Sequence, residues 1–436
     1  MTKNWTHLLF TDLRGVTRSV SYLIDCNDSK FRGKTDGSSS YGFGHIEDSD
    51  LELVPDRHMP VNDLSGAKIL FSYVYKNNKP LEQDPRRISK SMEETLENNG
   101  YKSLVAGELE FFVVDSVSAS VRKENGKFEH KVEINSTEFL DNGDYQNKAS
   151  YMFPLKGKSK DLSYILMGLS DYIDLEVMHH EVASSQYELN VKPKSVKDAA
   201  DNIIFSKYFL REKLADLGKI PIFLPKPFPY DNGSGLHTNV SLWRGSENLF
   251  YDKDDSYANL SQFGRYFIGG LLEHGKSLSA VVSPTVNSYR RLVPGFEAPI
   301  YLVWGRSNRS AALRVPFSSD SSKKRIEYRP PDPSSNPYLA FVGVLAAGLD
   351  GLTKKIDPGN PEDRDVYELD LTSKSRIPSI PGSLSEALDA LESDNEYLVR
   401  FFGRSTLDAY IDLKRQELKN AAPVASAVEI LDAIDI

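Results

Sequence analysis

The pattern of apolar and polar residues changes between the first part of the chain and the rest. Residues 8–10, 19–24 and 68–74 are short runs of apolar, β-branched and aromatic residues, separated by Gly, Asp, Asn and Pro. Runs of this kind, bounded by turn residues, are typical of β-strands. After residue 83, segments with helical spacing alternate with strand-like runs. We therefore predict an α+β protein with a small β-rich domain over residues 1–83 and a larger mixed domain over residues 84–436.

Helices can be placed in the second region from apolar spacing and from end signals. Asp84 followed by Pro85 is typical of a helix start, and Asn99-Gly100 is typical of a helix end. We therefore predict a first helix from about residue 84 to residue 99. Further helical patterns occur at residues 161–174, 197–217, 260–276, 336–354, 384–393 and 404–420.

Composition narrows the class of protein. The chain has 436 residues, of which 40% are hydrophobic and 26% charged, as in ordinary globular proteins. Its formal net charge of -9 argues against nucleic acid or an anionic membrane as a partner, because both select basic surfaces. The single cysteine, Cys26, rules out an intramolecular disulfide and favours a reducing compartment. The start of the chain has no signal-peptide pattern, and the apolar run at residues 339–349 is too short to span a bilayer, so we expect a cytoplasmic protein.

Two glutamates lie in a strongly apolar run, Val105-Ala-Gly-Glu108-Leu-Glu110-Phe-Phe. Residues two apart on a strand project from the same face, so Glu108 and Glu110 lie side by side. Like charges on a mostly buried strand are costly unless a cation lies between them. A divalent metal bound by carboxylates suggests phosphoryl chemistry. The alternative is a solvated edge strand.

A second acidic stretch is His179-His-Glu181-Val-Ala-Ser-Ser-Gln-Tyr-Glu188. Residues seven apart lie on opposite faces of one strand, but a turn at Ser184-Ser185 would fold the segment into a hairpin and bring Glu181 and Glu188 together. The stretch lacks the second histidine of a zinc-binding His-Glu-x-x-His motif, because Ser184 occupies that position. We interpret the two adjacent histidines as structural.

The segment Gly270-Leu-Leu-Glu-His-Gly275-Lys-Ser277 matches the P-loop pattern. A true P-loop follows a strand and precedes a helix. Here, apolar residues at helical spacing run into the motif, and Gly275 is typical of a helix end. We therefore reject the P-loop interpretation.

Two further segments contain polar side chains suited to anionic ligands. Asn232-Gly-Ser-Gly-Leu-His237 has two glycines that permit close backbone approach and a histidine that could bind metal. A short span then contains several arginines, whose guanidinium groups suit carboxylate and phosphate oxygens. These arginines are Arg290, Arg291, Arg306, Arg309 and Arg314. Arginines near carboxylate-bound metal suit transfer of a phosphoryl group to an acid.

A series of motifs occurs in order along nearly the whole chain. They include Asp36-Gly-Ser-Ser, Glu108-Leu-Glu-Phe-Phe, His179-His-Glu-Val-Ala, Asn232-Gly-Ser-Gly-Leu-His, Asn287-Ser-Tyr-Arg-Arg-Leu-Val-Pro-Gly-Phe-Glu-Ala-Pro and Asn308-Arg-Ser-Ala-Ala. Together they resemble type I glutamine synthetase, the bacterial and archaeal form. The resemblance implies an N-terminal β-grasp domain and a catalytic domain with a curved antiparallel sheet flanked by helices.

The same resemblance implies ligands for two divalent ions, Mg2+ or Mn2+. One ion would be held by Glu110, Glu181 and Glu188. The other, nearer the nucleotide phosphates, would be held by Glu108, His237 and Glu327. Substrate glutamate would be bound by Asn232, Gly233 and Arg291, with His237 nearby.

The remaining roles implied by the resemblance concern ATP and ammonium. Charge on the transferring phosphoryl group would be stabilised by Arg309, Arg314 and Arg329. ATP would also be contacted at Asn239 and Ser241, although the family pattern has a histidine in place of Asn239. Asp36 from a neighbouring subunit and Glu297 on a flap would bind ammonium and accept its proton. A dodecamer of two hexameric rings, with active sites between subunits, is implied.

The activity implied is ATP-dependent amidation of glutamate by ammonia through γ-glutamyl phosphate. A γ-glutamyl-amine ligase of the same superfamily is one alternative, although Asp36 and Glu297 together favour ammonium. A non-catalytic structural or regulatory relative is another, although it would have no reason to keep the metal ligands and arginines. The segment at Tyr367 resembles the adenylylation loop of the family only loosely, and we expect no modification there.

Overall fold

The computed structural model describes residues 4–57, 61–62, 66–124, 127–136 and 167–421. The described residues form sheets and helices that confirm the predicted α+β class. The N-terminal and central regions each contain a large sheet, and helices pack against the second of these sheets. Among the described residues, we find no helix with the length and apolar character needed to cross a membrane.

The N-terminal sheet has seven strands in the order β2-β1-β6-β4-β3, with β5 and β7 also paired to β6. β1 is antiparallel to β2 and parallel to β6. Its buried residues include Leu8, Phe10, Leu53 and Val74, which pack in one cluster. The strands are β1 (Asn4–Thr11), β2 (Thr17–Ile24), β3 (Gly33–Asp36), β4 (Asp50–Pro55), β5 (Val61–Asn62), β6 (Lys68–Lys76) and β7 (Lys79–Pro80).

The central sheet has nine strands, seven of them in the order β11-β12-β8-β14-β18-β17-β16, with β13 paired to β8 and β15 to β14. All pairs are antiparallel except β16 with β17, which are parallel. The strands are β8 (Lys102–Val114), β11 (Leu175–His180), β12 (Gln186–Val191), β13 (Ile220–Ile222), β14 (Leu236–Arg244), β15 (Glu247–Asn248), β16 (Tyr301–Arg306), β17 (Ala311–Val315) and β18 (Ile326–Tyr328). A separate hairpin consists of β9 (Ser116–Glu124) and β10 (Lys127–Asn135).

The α-helices confirm most of the predicted segments. The pattern at residues 161–174 is the exception: residues 161–166 lie outside the described part of the chain, and Leu169–Asp171 form a 3-10 helix. The α-helices are α1 (Pro85–Asn98), α2 (Val196–Ala215), α3 (Gln262–Glu273), α4 (Gly275–Val282), α5 (Ser288–Arg291), α6 (Pro337–Lys354), α7 (Leu371–Lys374), α8 (Leu384–Ser393), α9 (Glu396–Phe402) and α10 (Arg404–Ala421).

The first predicted helix has the expected ends. The Asp84 carboxylate accepts a hydrogen bond from the Arg86 backbone N–H, and Gly100 follows the helix with a positive φ. An aspartate cap satisfies one of the free N–H groups of the first turn, and a left-handed residue ends the last turn. Both signals were predicted from the sequence.

Helix α6 lies at the centre of the helical layer and is apolar around most of its surface. It packs closely on α3, where a Cβ atom on Gly270 would lie 2.1 Å from the Ala347 carbonyl oxygen. A Cβ atom on Gly351 would lie 2.3 Å from the Tyr266 carbonyl oxygen. These positions require glycine because a side chain there would separate the two backbones.

Buried charges join the N-terminal sheet to the helical layer. Arg86 at the start of α1 lies 2.8 Å from Asp56, next to β4, and 2.8 Å from Asp201 in α2. Burial tends to raise the pKa of Asp201, but the Arg86 charge outweighs it and lowers that pKa. Breaking such a pair would leave an uncompensated buried charge, which typically costs about 3–5 kcal/mol.

The P-loop-like segment is helical, as predicted. Helix α3 continues to Glu273, and His274 caps it. The helix ends where we predicted, because Gly275 directly follows the cap residue, but Gly275 begins α4 and lacks the positive φ of a glycine cap. It packs against Leu302, to which an added Cβ would approach within 2.5 Å, so close packing explains the glycine.

His274 connects three helical segments from a buried position. Its Nδ1 lies 2.9 Å from Oδ2 of Asp394, after α8, and its Nε2 lies 2.8 Å from Oδ2 of Asp350 in α6. Both ring nitrogens can donate only when the imidazole is protonated. Burial tends to lower the pKa of His274, but hydrogen bonds to Asp394 and Asp350 outweigh it and raise that pKa.

Replacing His274 by Gln should lower the free energy of unfolding by roughly 2 kcal/mol at pH 6, because hydrogen bonds to charged groups are lost. A histidine pKa raised in the folded state stabilises the fold fully below the unfolded-state pKa of about 6.5, and this contribution is lost as pH rises through the folded-state pKa. Urea unfolding from pH 5.5 to 9 should show the difference shrinking at high pH. The exposed His45→Gln variant is the control, and a pH-independent difference for His274→Gln would contradict the charged state.

Candidate active site

Strand register brings the predicted polar residues onto one face of the central sheet. Glu188 on β12 pairs with Glu110 on β8 and with His179 on β11. One row along, Glu108 pairs with Asn190 and with His237 on β14. Directly paired residues share a face of a sheet, as do residues two apart on one strand. The same rule adds Asn239, its partner Glu327, and Arg314 opposite Glu327.

One cluster on this face consists of Glu108, His237 and Glu327, whose ligand atoms lie within 4.8 Å of one another. The His237 Nδ1 atom is 3.1 Å from Glu108 Oε2. Glu327 is held by Arg314 and by Arg329, whose Nη1 lies 3.0 Å from Glu327 Oε1. The three residues predicted to share an ion are therefore close enough to do so.

A second cluster consists of His179, Glu181 and Glu188, also within 4.8 Å. The predicted hairpin turn is present: β11 and β12 are antiparallel, and Ser185 between them has a φ of 63°. This turn brings Glu181 and Glu188 together. His179, which we interpreted as structural, lies 3.4 Å from Glu188, whereas His180 is fully buried and packs against Tyr187.

Glu110 lies between the two clusters. Its Oε1 is 3.7 Å from His237 Nε2, and its Oε2 accepts a hydrogen bond of 2.7 Å from the Gly235 backbone N–H. Gln186 Nε2 also donates to Oε2 at 3.3 Å. These contacts fix one carboxylate oxygen and leave the other directed towards His237.

Burial and mutual repulsion disfavour charge on these carboxylates. Burial and the neighbouring Glu188 charge raise the pKa of Glu181 to about 8. Burial, with the charges of Glu108 and Glu110, also raises the pKa of Glu188 well above its usual value. Burial, with nearby Arg329, lowers the pKa of His237 to about 3, so this ring is neutral and able to bind a metal. Carboxylates joined by a neutral imidazole are suitable ligands for a divalent cation, which would relieve the repulsion.

The clusters line a cavity of about 160 Å³ together with a set of predicted binding residues. Those binding residues are Asn232, Gly233, Arg291, Glu297, Arg309, Arg314 and Arg329. The cavity therefore combines a carboxylate-rich floor with guanidinium groups. Arg291 is almost fully buried, and its guanidinium donates to the carbonyl oxygens of Arg329 and Pro330 at 3.2 and 2.8 Å.

Asn239 and Ser241 line a neighbouring cavity of about 420 Å³. The two cavities share Glu108 and Asn190. Asn239 donates to Glu108 Oε1 at 2.8 Å and accepts a hydrogen bond from Arg325 Nε at 2.9 Å. It therefore connects the first cluster to Arg325, which lines this cavity together with Lys192 and Lys323.

Asp36 does not line either cavity. It ends β3, and its carboxylate caps the short helix Gly37–Ser39 by accepting hydrogen bonds from Ser38 and Ser39. Hydrogen bonds from the Ser39 and Ser38 side chains lower the pKa of Asp36 to about 2, so the exposed carboxylate is charged at neutral pH. Within one chain, the structure does not bring Asp36 to the other predicted residues.

Four residues at the main cavity were missed by sequence reasoning: His179, Gln186, Asn190 and Phe296. Two of them could have been found from strand alternation, because Gln186 and Asn190 lie two residues either side of Glu188. Phe296 is adjacent to Glu297. The position of His179 depends on the register in which β11 pairs with β12, which the predicted turn does not specify.

Carboxylates suited to divalent cations, guanidinium groups and an adjoining cationic cavity are the parts needed for phosphoryl transfer to an acid. The fold and site therefore define an ATP-dependent ligase. Residues 82–432 match the model of the glutamine synthetase catalytic domain. The chain belongs to the glutamine synthetase family, and its activity is the ATP-dependent formation of glutamine from glutamate and ammonia, with use of divalent metal.

Individual relatives are similar over nearly their full lengths. Glutamine synthetase of Sulfolobus acidocaldarius is 42% identical, covering 99% of this chain and 95% of the relative. That of Thermococcus kodakarensis is 37% identical, covering 97% and 91%. The cryo-EM structure of Plasmodium falciparum glutamine synthetase superposes with a TM-score of 0.86 at 26% identity, covering 98% and 95%. A GmaS–ADP complex gives 0.80 at 26% identity, covering 100% and 97%.

Gly233 provides a test of the site's geometry. A Cβ atom there would lie 2.4 Å from the Pro225 carbonyl oxygen and 2.9 Å from Cγ of Arg291, so alanine must displace the binding loop. Displacements of about 1 Å can cost roughly 100-fold in rate, and we expect a loss of that order in glutamine formation by Gly233→Ala. The control is Gly382→Ala, where the nearest atom is 3.7 Å away. Wild-type activity in Gly233→Ala would contradict the geometry.

Proposed function

We propose that this chain makes glutamine through γ-glutamyl phosphate, using the residues of the main cavity in the roles described below. The observation that carries the proposal is the arrangement of two ligand clusters and flanking arginines on one sheet face. The γ-carboxylate of glutamate is a poor electrophile and must first be activated. One of its oxygens attacks the γ-phosphorus of ATP, and ADP leaves. Ammonia then attacks the acyl carbon and phosphate leaves.

The two clusters are proposed to hold two divalent ions, Mg2+ or Mn2+. Glu108, His237 and Glu327 would hold one, and Glu181 and Glu188, with Glu110 and His179, the other. When bound, such ions neutralise phosphate charge and orient the transferring group. Their carboxylate and neutral imidazole ligands favour hard or borderline divalent cations.

Substrate glutamate is proposed to bind at Asn232, Gly233 and Arg291, with His237 beside it. Arg291 is preorganised, because its hydrogen bonds to backbone carbonyl oxygens hold the guanidinium in a buried position. A fixed guanidinium binds a carboxylate without the entropy cost of ordering a flexible side chain. Gln186 supports the same loop by donating to the Gly233 carbonyl oxygen at 3.0 Å.

ATP is proposed to extend from the main cavity into the cavity at Asn239 and Ser241. Lys323 and Arg325, which line this cavity, would place cationic groups beside the phosphates. Asn239 replaces the family's histidine, and its amide group can both accept from Arg325 and donate to Glu108. The substitution thus retains a polar connection between the nucleotide and metal regions.

Charge on the transferring phosphoryl group is proposed to be stabilised by Arg309, Arg314 and Arg329. Arg314 and Arg329 are already oriented by Glu327, so they reach the cavity without large reorganisation. Glu297, which lines the cavity, would bind ammonium and accept its proton. Asp36 would complete that ammonium site from a neighbouring subunit.

The position of Asp36 favours assembly. Because Asp36 is charged, exposed and outside the two cavities described above, its proposed role in binding ammonium requires the site of another copy. We propose the dodecamer of two hexameric rings. We also propose a division near residues 83 and 84, between the last N-terminal strand and α1, into a β-grasp and a catalytic domain. The cytoplasmic location stays a prediction.

The proposal is tested by measuring phosphate and glutamine released from ATP and glutamate, with ammonium or with a panel of primary amines. We expect one phosphate per glutamine and strong dependence on ammonium. The expected acceptor is ammonium because the anionic groups Glu297 and Asp36 favour a small cation.

Response to an amine but not to ammonium would contradict the proposed acceptor and favour a γ-glutamyl-amine ligase. Absence of phosphate release with every acceptor would contradict catalysis and favour the non-catalytic alternative. Native mass spectrometry of the same preparation measures the assembly, and a monomer with full activity would contradict the inter-subunit role of Asp36.

A further inference from the structure

Phe296 and Glu297 line the main cavity and belong to a segment, Gly295–Ala298, with an uncommon backbone conformation. Glu297 has a φ of 55°, and Gly295 has a φ of 97°. The left-handed region disfavours residues with a Cβ, at a cost of the order of 1 kcal/mol or more, so surrounding contacts must hold Glu297 there. The neighbours of Glu297 on both sides have such contacts.

The first contact is made by Lys226 with Phe296. The Lys226 ammonium lies 3.5 Å from the centre of the Phe296 ring, in cation–π geometry. It also donates to the Asp231 carbonyl oxygen. Two hydrogen bonds with Asn287 fix the Lys226 backbone, at 2.6 Å from its N–H and at 3.1 Å to its carbonyl oxygen. The ammonium is therefore held by parts of the chain outside the segment that it contacts.

The second contact is made by Tyr367 with Ala298. The Tyr367 hydroxyl donates a hydrogen bond to the Ala298 carbonyl oxygen. Burial raises the pKa of Tyr367 to about 12, so the hydroxyl keeps its proton at neutral pH. Lys374 donates to the Tyr367 carbonyl oxygen at 2.6 Å, which ties this tyrosine to α7. Tyr367 lies in the segment that loosely resembles the adenylylation loop of the family. Its hydroxyl forms a hydrogen bond within the chain.

We propose that Lys226 and Tyr367 are positioning residues. Through their contacts with Phe296 and Ala298, they keep the intervening Glu297 at the cavity. The proposal rests on the proposed function of Glu297. Glutamine formation requires that ammonia, and not water, reaches γ-glutamyl phosphate. A loosened segment would admit water, so phosphate would be released from the intermediate as glutamate is regenerated. The two contacts should therefore determine how tightly ATP use is coupled to amide formation.

The test measures phosphate released per glutamine formed, and KM values for ammonium, glutamate and ATP. Lys226→Met removes the charge while keeping most of the side-chain length, Lys226→Arg keeps a cation, and Tyr367→Phe removes only the hydroxyl. The control is Lys253→Met, at an exposed lysine. We expect wild type and control to release one phosphate per glutamine. Lys226→Met and Tyr367→Phe should release at least twofold more and raise the ammonium KM about tenfold. The ATP KM should stay within twofold of wild type in both variants, and the glutamate KM within twofold in Tyr367→Phe, because Lys226 also contacts Asp231 beside the proposed glutamate-binding loop.

Lys226→Arg should restore coupling, because arginine also forms cation–π contacts. Variants that lose kcat but still release one phosphate per glutamine would overturn the proposal and indicate a purely structural role. Thermal unfolding identifies a folding defect. If Lys226→Met fails to fold, Tyr367→Phe decides the outcome, since it removes a single oxygen. A wild-type protein that forms no glutamine would instead refute the proposed function, so the two failures are distinguishable.

Discussion

Crowding of negative charge on one face of the central sheet is the constraint on which the rest of the structure depends. Strand pairing places Glu110 opposite Glu188 and sets Glu108 beside Glu110. Two unit charges about 4 Å apart repel by roughly 4 kcal/mol at an effective dielectric constant of 20, a large fraction of the stability of a typical domain. The raised pKa values of Glu181 and Glu188 express this cost. Keeping these carboxylates together without bound cations lowers the stability of the fold. The same arrangement allows the sheet to bind divalent cations.

The surrounding structure is built to resist that repulsion. Backbone and side-chain donors from Gly235 and Gln186 hold Glu110, and two arginines hold Glu327. Within the helical layer, α6 packs against α3 through glycines that permit backbone contact. The Arg86 ion pairs then attach the N-terminal sheet to the same helices. The ligand positions are thus set by packed elements.

Local periodicity predicted much of this arrangement. The two-residue repeat placed Glu108 and Glu110 on one face, and the serine turn predicted that Glu181 and Glu188 meet. Helical spacing also led to the correct rejection of the P-loop-like segment. Those features depend on residues that are close in the chain. For such residues, a repeat period or a turn is sufficient to predict which side chains lie together.

Features that depend on strand register or on long-range pairing could not be predicted in this way. His179 joins a ligand cluster because of the register of the β11–β12 hairpin, which the predicted turn left open. The parallel pairing of β16 with β17 has no local indication. Gly275 resembled a glycine helix cap in the sequence, but glycine is required at this position because of its close contact with Leu302. The contact between Tyr367 and Ala298 joins positions 69 residues apart, and only the fold reveals it.

Counting bound Mn2+ in the absence of ATP by electron paramagnetic resonance tests the central claim most directly. We expect two ions per chain at neutral pH, falling to one in Glu327→Gln, which removes a ligand from the first cluster and leaves the second intact. Fewer than two ions in wild type, or a count unchanged by Glu327→Gln, would contradict the claim that the crowded carboxylates form two cation sites.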